Sequence, residues 1–178
     1  MKELLISKMI KVGALKFGKF KLSSGRESNV YVDIKLASTY PDLLEIISSM
    51  LCEIAKKYEF DKIACIELGG VPIAVAISLK LKKPLVIFRK EIKGHGVRSD
   101  RIGEIKFGER ILIIEDVVTT GKSVTSIVKR VKDAGGMVAG IIAVVDREEG
   151  NVSVESLVKL KELIDAYNFA NTSKTLKS

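Results

Sequence analysis

The chain has 178 residues, 47% of them apolar, with 30 Lys and Arg against 22 Asp and Glu for a formal charge of +8. That length suits one compact domain able to bury its own core, and the charge favours anionic partners such as phosphorylated metabolites, acidic lipid or nucleic acid without choosing among them. Lys2, Glu3, Lys8 and Lys11 interrupt the apolar N-terminus and Cys52 and Cys65 lack metal or redox spacing, so with no stretch reaching the ~20 apolar residues of a membrane span the expectation is a soluble, cytoplasmic protein with reduced, buried thiols and no membrane partner.

Leu4, Leu5, Met9 and Val12 recur at helical spacing and predict a first amphipathic helix. Phe17 to Lys35 reads as turns plus one or two strands, with Val30, Val32 and Ile34 alternating. Pro41 and Asp42 open a second helix whose apolar face carries Leu43, Leu44, Ile47, Leu51 and Ile54.

From Lys62 onward, short apolar runs at Ile63–Leu68, Leu85–Phe88, Ile111–Ile114 and Val138–Val145 alternate with helical segments at Ile73–Leu81 and Ser123–Ala134. Continuous apolar runs suit strands buried on both faces. Their alternation with helices predicts an α/β fold: a doubly wound, mostly parallel sheet flanked by helices, with right-handed crossovers. A small N-terminal hood over about residues 1–35 and a core over about 36–170 complete the expected single domain of 1–178. Arg89 to Phe107 breaks the alternation with a charged, glycine-bearing loop, a kind usually reserved for function. The polar end, Asn171–Ser178, is expected to fray.

The chemistry concentrates in Ile111–Ser123, ILIIEDVVTTGKS. An apolar strand runs into Glu115 and Asp116, then Val117, Val118, Thr119, Thr120, Gly121, Lys122 and Ser123 at a helix start. N–H groups at a helix N-terminus attract phosphate, Gly121 permits close backbone approach, and three hydroxyls can donate to phosphate oxygens. Two carboxylates beside that cradle suit a pair of vicinal hydroxyls and a cationic, oxocarbenium-like ribose. A P-loop is excluded because Asp116 stands where its first glycine belongs, and a dinucleotide fingerprint because Ser99 stands where the third glycine belongs after Gly94 and Gly96. The bland alternative is a strand-to-helix turn capped by threonines.

Ile111–Ser123 resembles the phosphoribosyl-pyrophosphate signature of type I phosphoribosyltransferases. Phe17–Asp33, FGKFKLSSGRESNVYVD, resembles the hood of the orotate phosphoribosyltransferases, and Phe88–Gly96, FRKEIKGHG, resembles their catalytic loop. The resemblance implies transfer of the phosphoribosyl group of 5-phosphoribosyl 1-pyrophosphate to orotate, with Mg²⁺ held mainly by the substrate near Asp116. Carried over by position, Arg89, Lys90, Lys93 and His95 would meet the pyrophosphate, with Lys93, His95 and Asp116 as the catalytic set, His95 as an acid being left open. Ser24, Gly25, Tyr31, Thr119 and Arg147 would hold orotate, the Arg147 fork suiting a carboxylate. It further implies a homodimer whose loop is shared between subunits.

The sequence departs from many bacterial members at Ser23 and Gly69, where lysines are usual, so two phosphate-directed cations are missing. Two other functions remain possible at this stage: transfer to a different base, and a non-enzymatic regulator that senses phosphoribosyl pyrophosphate. With no evident helix-turn-helix extension, no nucleic-acid partner is expected.

Overall fold

The computed structural model describes residues 1–22, 24–90 and 99–175, so Ser23, Lys93 and His95 lie outside the described residues. Helix α1 (Lys2–Lys11) buries Leu5, Ile6 and Met9. Strands β1 (Leu15–Lys21) and β2 (Glu27–Val32) pair antiparallel as the hood, with a register shift between Phe17 and Phe20. The hairpin closes where Gly25, at φ +85°, donates its N–H to the Leu22 carbonyl.

The strand expected to continue through Ile34 stops at Val32. Asp33 instead caps α2 (Ile34–Ala37), its Oδ1 accepting the Leu36 N–H at 3.0 Å. Asx capping at this point outweighs the β preference of Ile34. Helix α3 (Pro41–Ala55) begins at the predicted proline and buries Leu43, Ile47 and Leu51.

The rest of the chain runs β3 (Lys62–Ile66), α4 (Val71–Leu81), β4 (Leu85–Phe88), β5 (Arg101–Ile102), β6 (Arg110–Val118), α5 (Lys122–Asp133), β7 (Met137–Asp146), β8 (Glu155–Lys159) and α6 (Leu160–Thr175). Six strands form one sheet in the order β5-β4-β3-β6-β7-β8. Every neighbouring pair is parallel except β4 and β5. Alternation sorts the strands' side chains between two faces. Ile63, Cys65, Leu112 and Ile114 join one core with Leu5, Ile47, Ile73 and Leu163. Ala64, Val86, Phe88, Ile111 and Ile113 pack against Ile127 and Val131 of α5 on the other. The sheet is therefore doubly wound, as the apolar runs implied.

Three expectations need correction. The Ile63–Leu68 run leaves the sheet after Ile66, and Leu68 is 68% exposed in the turn that follows. The expected loop from Arg89 to Phe107 contains β5, and Ile105 beyond it is buried. Asn171–Thr175 belongs to α6 instead of fraying; the last three residues lie outside the described ones.

Candidate active site

From β3 the chain turns onto one face of the sheet through α4, and from its neighbour β6 it turns onto the other through α5. Divergence of that kind opens a crevice at the carboxyl ends of the two strands. A cleft of about 620 Å³ occupies it. Its walls are the Glu67–Gly69 turn after β3 and the whole run from Glu115 to Val124, with Ser24 and Lys35 reaching in from the hood side and Lys90 from the end of β4.

Glu115 and Asp116, adjacent on β6, point to opposite faces. Glu115 turns toward α5, is 3% exposed, and accepts a hydrogen bond from the Ser123 hydroxyl at 3.2 Å. Burial, reinforced by the charge of Asp116, pushes its carboxyl up to about 8. Ser123 thus spends its hydroxyl on Glu115, which was not foreseen. Asp116 turns toward α4 and lies against Gly69, where a Cβ would stand 1.8 Å from its Oδ2. Burial raises this carboxyl too, while the Val117 N–H and the charge of Lys35 pull it back down. The two acids are therefore held in different environments, the usual sign of different tasks.

Beyond Asp116, Thr119 and Thr120 lead into α5, whose N-cap is Gly121 in the left-handed region at φ +82°, with no side-chain capping bond. The threonines do not cap the helix, so the bland strand-to-helix reading loses its basis. The loop after β7 presses on this turn: a Cβ at Gly121 would meet Val152 Cγ2 at 2.1 Å, and one at Gly150 would meet the Thr120 carbonyl oxygen at 2.3 Å. Close backbone packing holds this turn rigidly against the cleft it lines, and N–H groups at a helix N-terminus are the kind of donor a phosphate uses.

The hood is fastened to the core by Arg147, which follows β7. Its Nε bonds Glu149 at 2.8 Å, one terminal nitrogen donates to the Val30 carbonyl at 3.0 Å, and the other to the Ser28 hydroxyl at 2.8 Å. All three directions of the fork are engaged and the side chain is 4% exposed. Tyr31 packs against Phe20 with ring centroids 5.6 Å apart, and its hydroxyl accepts from Lys35 at 3.3 Å.

This geometry has known counterparts. The model of the phosphoribosyl transferase domain matches residues 39–174. Orotate phosphoribosyltransferase of Archaeoglobus fulgidus is 61% identical over 164 residues, 92% of each chain. The chain belongs to the orotate phosphoribosyltransferase family. Among solved structures, the orotate phosphoribosyltransferase of Aeropyrum pernix superposes with a TM-score of 0.81 at 30% identity, covering 93% of this chain and 98% of that one. That of Mycobacterium tuberculosis, in complex with 5-phospho-α-D-ribosyl 1-diphosphate, does so at 0.70 and 28% identity, covering 91% and 98%.

Of the residues that the sequence resemblance singled out, the cleft gathers Ser24, Lys90 and the run Glu115 to Ser123. Arg89, next to Lys90 in the chain, is not among the residues lining the cleft, and its Nε is buried and without a partner among the described residues. Gly25, Tyr31 and Arg147 are not among the residues lining the cleft. Sequence reading missed Lys35 and Glu67. Glu67 accepts the Lys90 N–H at 2.9 Å and so ties the turn after β3 to the end of β4. Nothing in the local pattern marked Lys35, because only the cap on α2 aims it into the cleft.

Proposed function

We propose that the chain transfers the phosphoribosyl group of 5-phosphoribosyl 1-pyrophosphate to orotate, giving orotidine 5′-monophosphate and pyrophosphate, a step of pyrimidine biosynthesis. One observation carries the reading: Asp116 sits beside Gly69 at the carboxyl end of β6, directly before a helix N-terminus shaped for phosphate. The whole chain acts as one domain, hood over core.

In this reading the turn from Thr119 to Ser123 takes the 5′-phosphate through backbone N–H groups and the threonine hydroxyls. Asp116 accepts from the ribose hydroxyls and stabilises positive charge growing on the ring as the bond to pyrophosphate lengthens. Lys35, whose charge acts on Asp116, and Lys90, which lines the same cleft, supply cations there, which supports binding of a polyanion despite the absence of lysine at positions 23 and 69. Arg89, Lys90, Lys93 and His95 would neutralise the leaving pyrophosphate. Orotate lies under the hood, with Ser24, Gly25, Tyr31, Thr119 and Arg147 around it. Arg147 would then exchange bonds to Ser28 and Val30 for the orotate carboxylate.

Mg²⁺ fits this donor set. Among the described residues no three His, Cys, Asp or Glu side chains gather as a cage, but Asp116 and Glu67 offer hard oxygens at a site that would take a pyrophosphate. Mg²⁺ characteristically keeps waters and substrate phosphates as ligands. When bound it would screen the charge of the leaving group. The active assembly in this reading is a two-fold homodimer with the catalytic loop shared between subunits, working in the cytoplasm without nucleic acid or membrane partners. No helix among the described residues is long and apolar enough to cross a membrane. Offering bases one at a time with phosphoribosyl pyrophosphate tests the proposal: orotate should be consumed, and consumption of a purine or of uracil in its place would refute the assigned acceptor.

A further inference from the structure

We infer that Arg130 of α5 is a positioning residue for the pyrophosphate end of the cleft, holding together both roots of the segment that joins β4 to β5. The inference rests on the transferase reading above. The Arg130 Nε bonds the Asp100 carboxylate at 2.9 Å, one terminal nitrogen donates to the Arg89 carbonyl at 2.9 Å, and the other to the Asp100 carbonyl. Its guanidinium lies over the Phe88 ring, 4.7 Å from the centroid. One planar fork therefore grips residues on both sides of the segment. Between the roots themselves, the Arg89 N–H donates to the Asp100 carbonyl at 2.9 Å. Next to the grip, Lys90 gives its N–H to Glu67 and lines the cleft.

A lysine could occupy the space over Phe88 but could not fork to two carbonyls and a carboxylate at once. Arg130 also stands on the helix that begins in the phosphate cradle, eight residues after Lys122, or about 12 Å along the axis. A helix of that length is stiff, so α5 fixes the spacing between the 5′-phosphate turn and the cationic root carrying Arg89 and Lys90. Fold stability has other guarantors on the same helix: Ile127 and Val131 are fully buried against the sheet. Removing the Arg130 head group should therefore displace the root cations without unfolding α5.

The test compares Arg130→Met, Arg130→Lys and, as a neighbouring control, Lys129→Ala in the full chain with Mg²⁺. Lys129 pairs with Asp133 on the exposed side of α5 at 2.6 Å. Arg130→Met should lower kcat/KM for phosphoribosyl pyrophosphate about 10- to 100-fold, the usual cost of small misplacement in a site. KM for that substrate should rise while KM for orotate stays within about twofold. Arg130→Lys should recover part of the loss, and Lys129→Ala should match the parent. Hydrogen exchange at the Arg89 and Lys90 amides should quicken in Arg130→Met, with α5 itself unchanged. Unaltered exchange at those amides, or kcat/KM kept within about twofold, overturns the inference. So does an equal rise of both KM values, which would mark a general structural role. A parent chain inactive with orotate would sink the transferase reading instead, leaving the exchange result to judge the grip itself.

Discussion

Gly69 and Asp116 share a space that admits one side chain: a Cβ at position 69 would lie 1.8 Å from Oδ2 and 2.4 Å from Cγ of Asp116. The missing lysine at 69 is thus coupled to where the carboxylate rests. Gly69→Ala should swing Asp116 out of place and lower kcat at least about tenfold, with the thermal midpoint nearly that of the parent. Asp116→Asn, which keeps volume and removes charge, should also lower kcat substantially. Steady-state rates beside a melting curve check both, and a Gly69→Ala enzyme within a few-fold of the parent would show that the carboxylate's position is not decisive.

Arg147 distinguishes hood anchoring from substrate binding. If it exchanges its hood bonds for the orotate carboxylate, Arg147→Ala should weaken orotate binding far more than phosphoribosyl-pyrophosphate binding in separate titrations. Equal weakening of both ligands with a lowered melting point would assign it to the bonds with Ser28, Val30 and Glu149 alone.

Glu115 makes stability depend on pH in a direction unusual for a carboxylate. Burial, with the charge of Asp116, lifts it from 4.5 to about 8, so between those values the folded chain holds a proton that the unfolded chain releases. Its contribution is fully present below the unfolded value and is lost as pH rises through about 8. Glu115→Gln never ionises and can still accept from Ser123. Its melting temperature should therefore exceed the parent's above about pH 8, with the difference closing toward about pH 5. A difference that does not vary with pH would mean that Glu115 is ionised in the fold.

Strands β3, β4, β6 and β7 were legible because each is buried on both faces and therefore apolar at successive positions. Proline marked the start of α3, and the residues from Glu115 to Ser123 announced the phosphate turn. Strand β8 escaped because it is an edge strand, only part of it buried, with polar residues interleaved among the apolar ones. Strand β5 has two residues and is defined by pairing with β4. Side-chain commitments were the least legible part of the site. Arg147 reaches Val30 and Ser28 from 117 and 119 residues away, and Ser123 turns to Glu115 because that acid is buried, facts that no local pattern encodes.

The shared loop can be tested by mixing dead variants. Lys93→Ala and Asp116→Ala should each be inactive. After subunit exchange at equal amounts, about half the dimers are hybrids, each with one intact site and one doubly defective site if Lys93 serves the partner. Activity should then recover to roughly one quarter of the parent's. No recovery despite demonstrated exchange would place Lys93 in its own subunit's site.

In the proposed reaction this cleft joins orotate to phosphoribosyl pyrophosphate with the help of Mg²⁺. Following orotate absorbance in the purified chain tests it most directly. Loss of the orotate signal should require both phosphoribosyl pyrophosphate and Mg²⁺, and should stop when Mg²⁺ is chelated. An orotate signal that stays constant with both present would refute the proposed transfer.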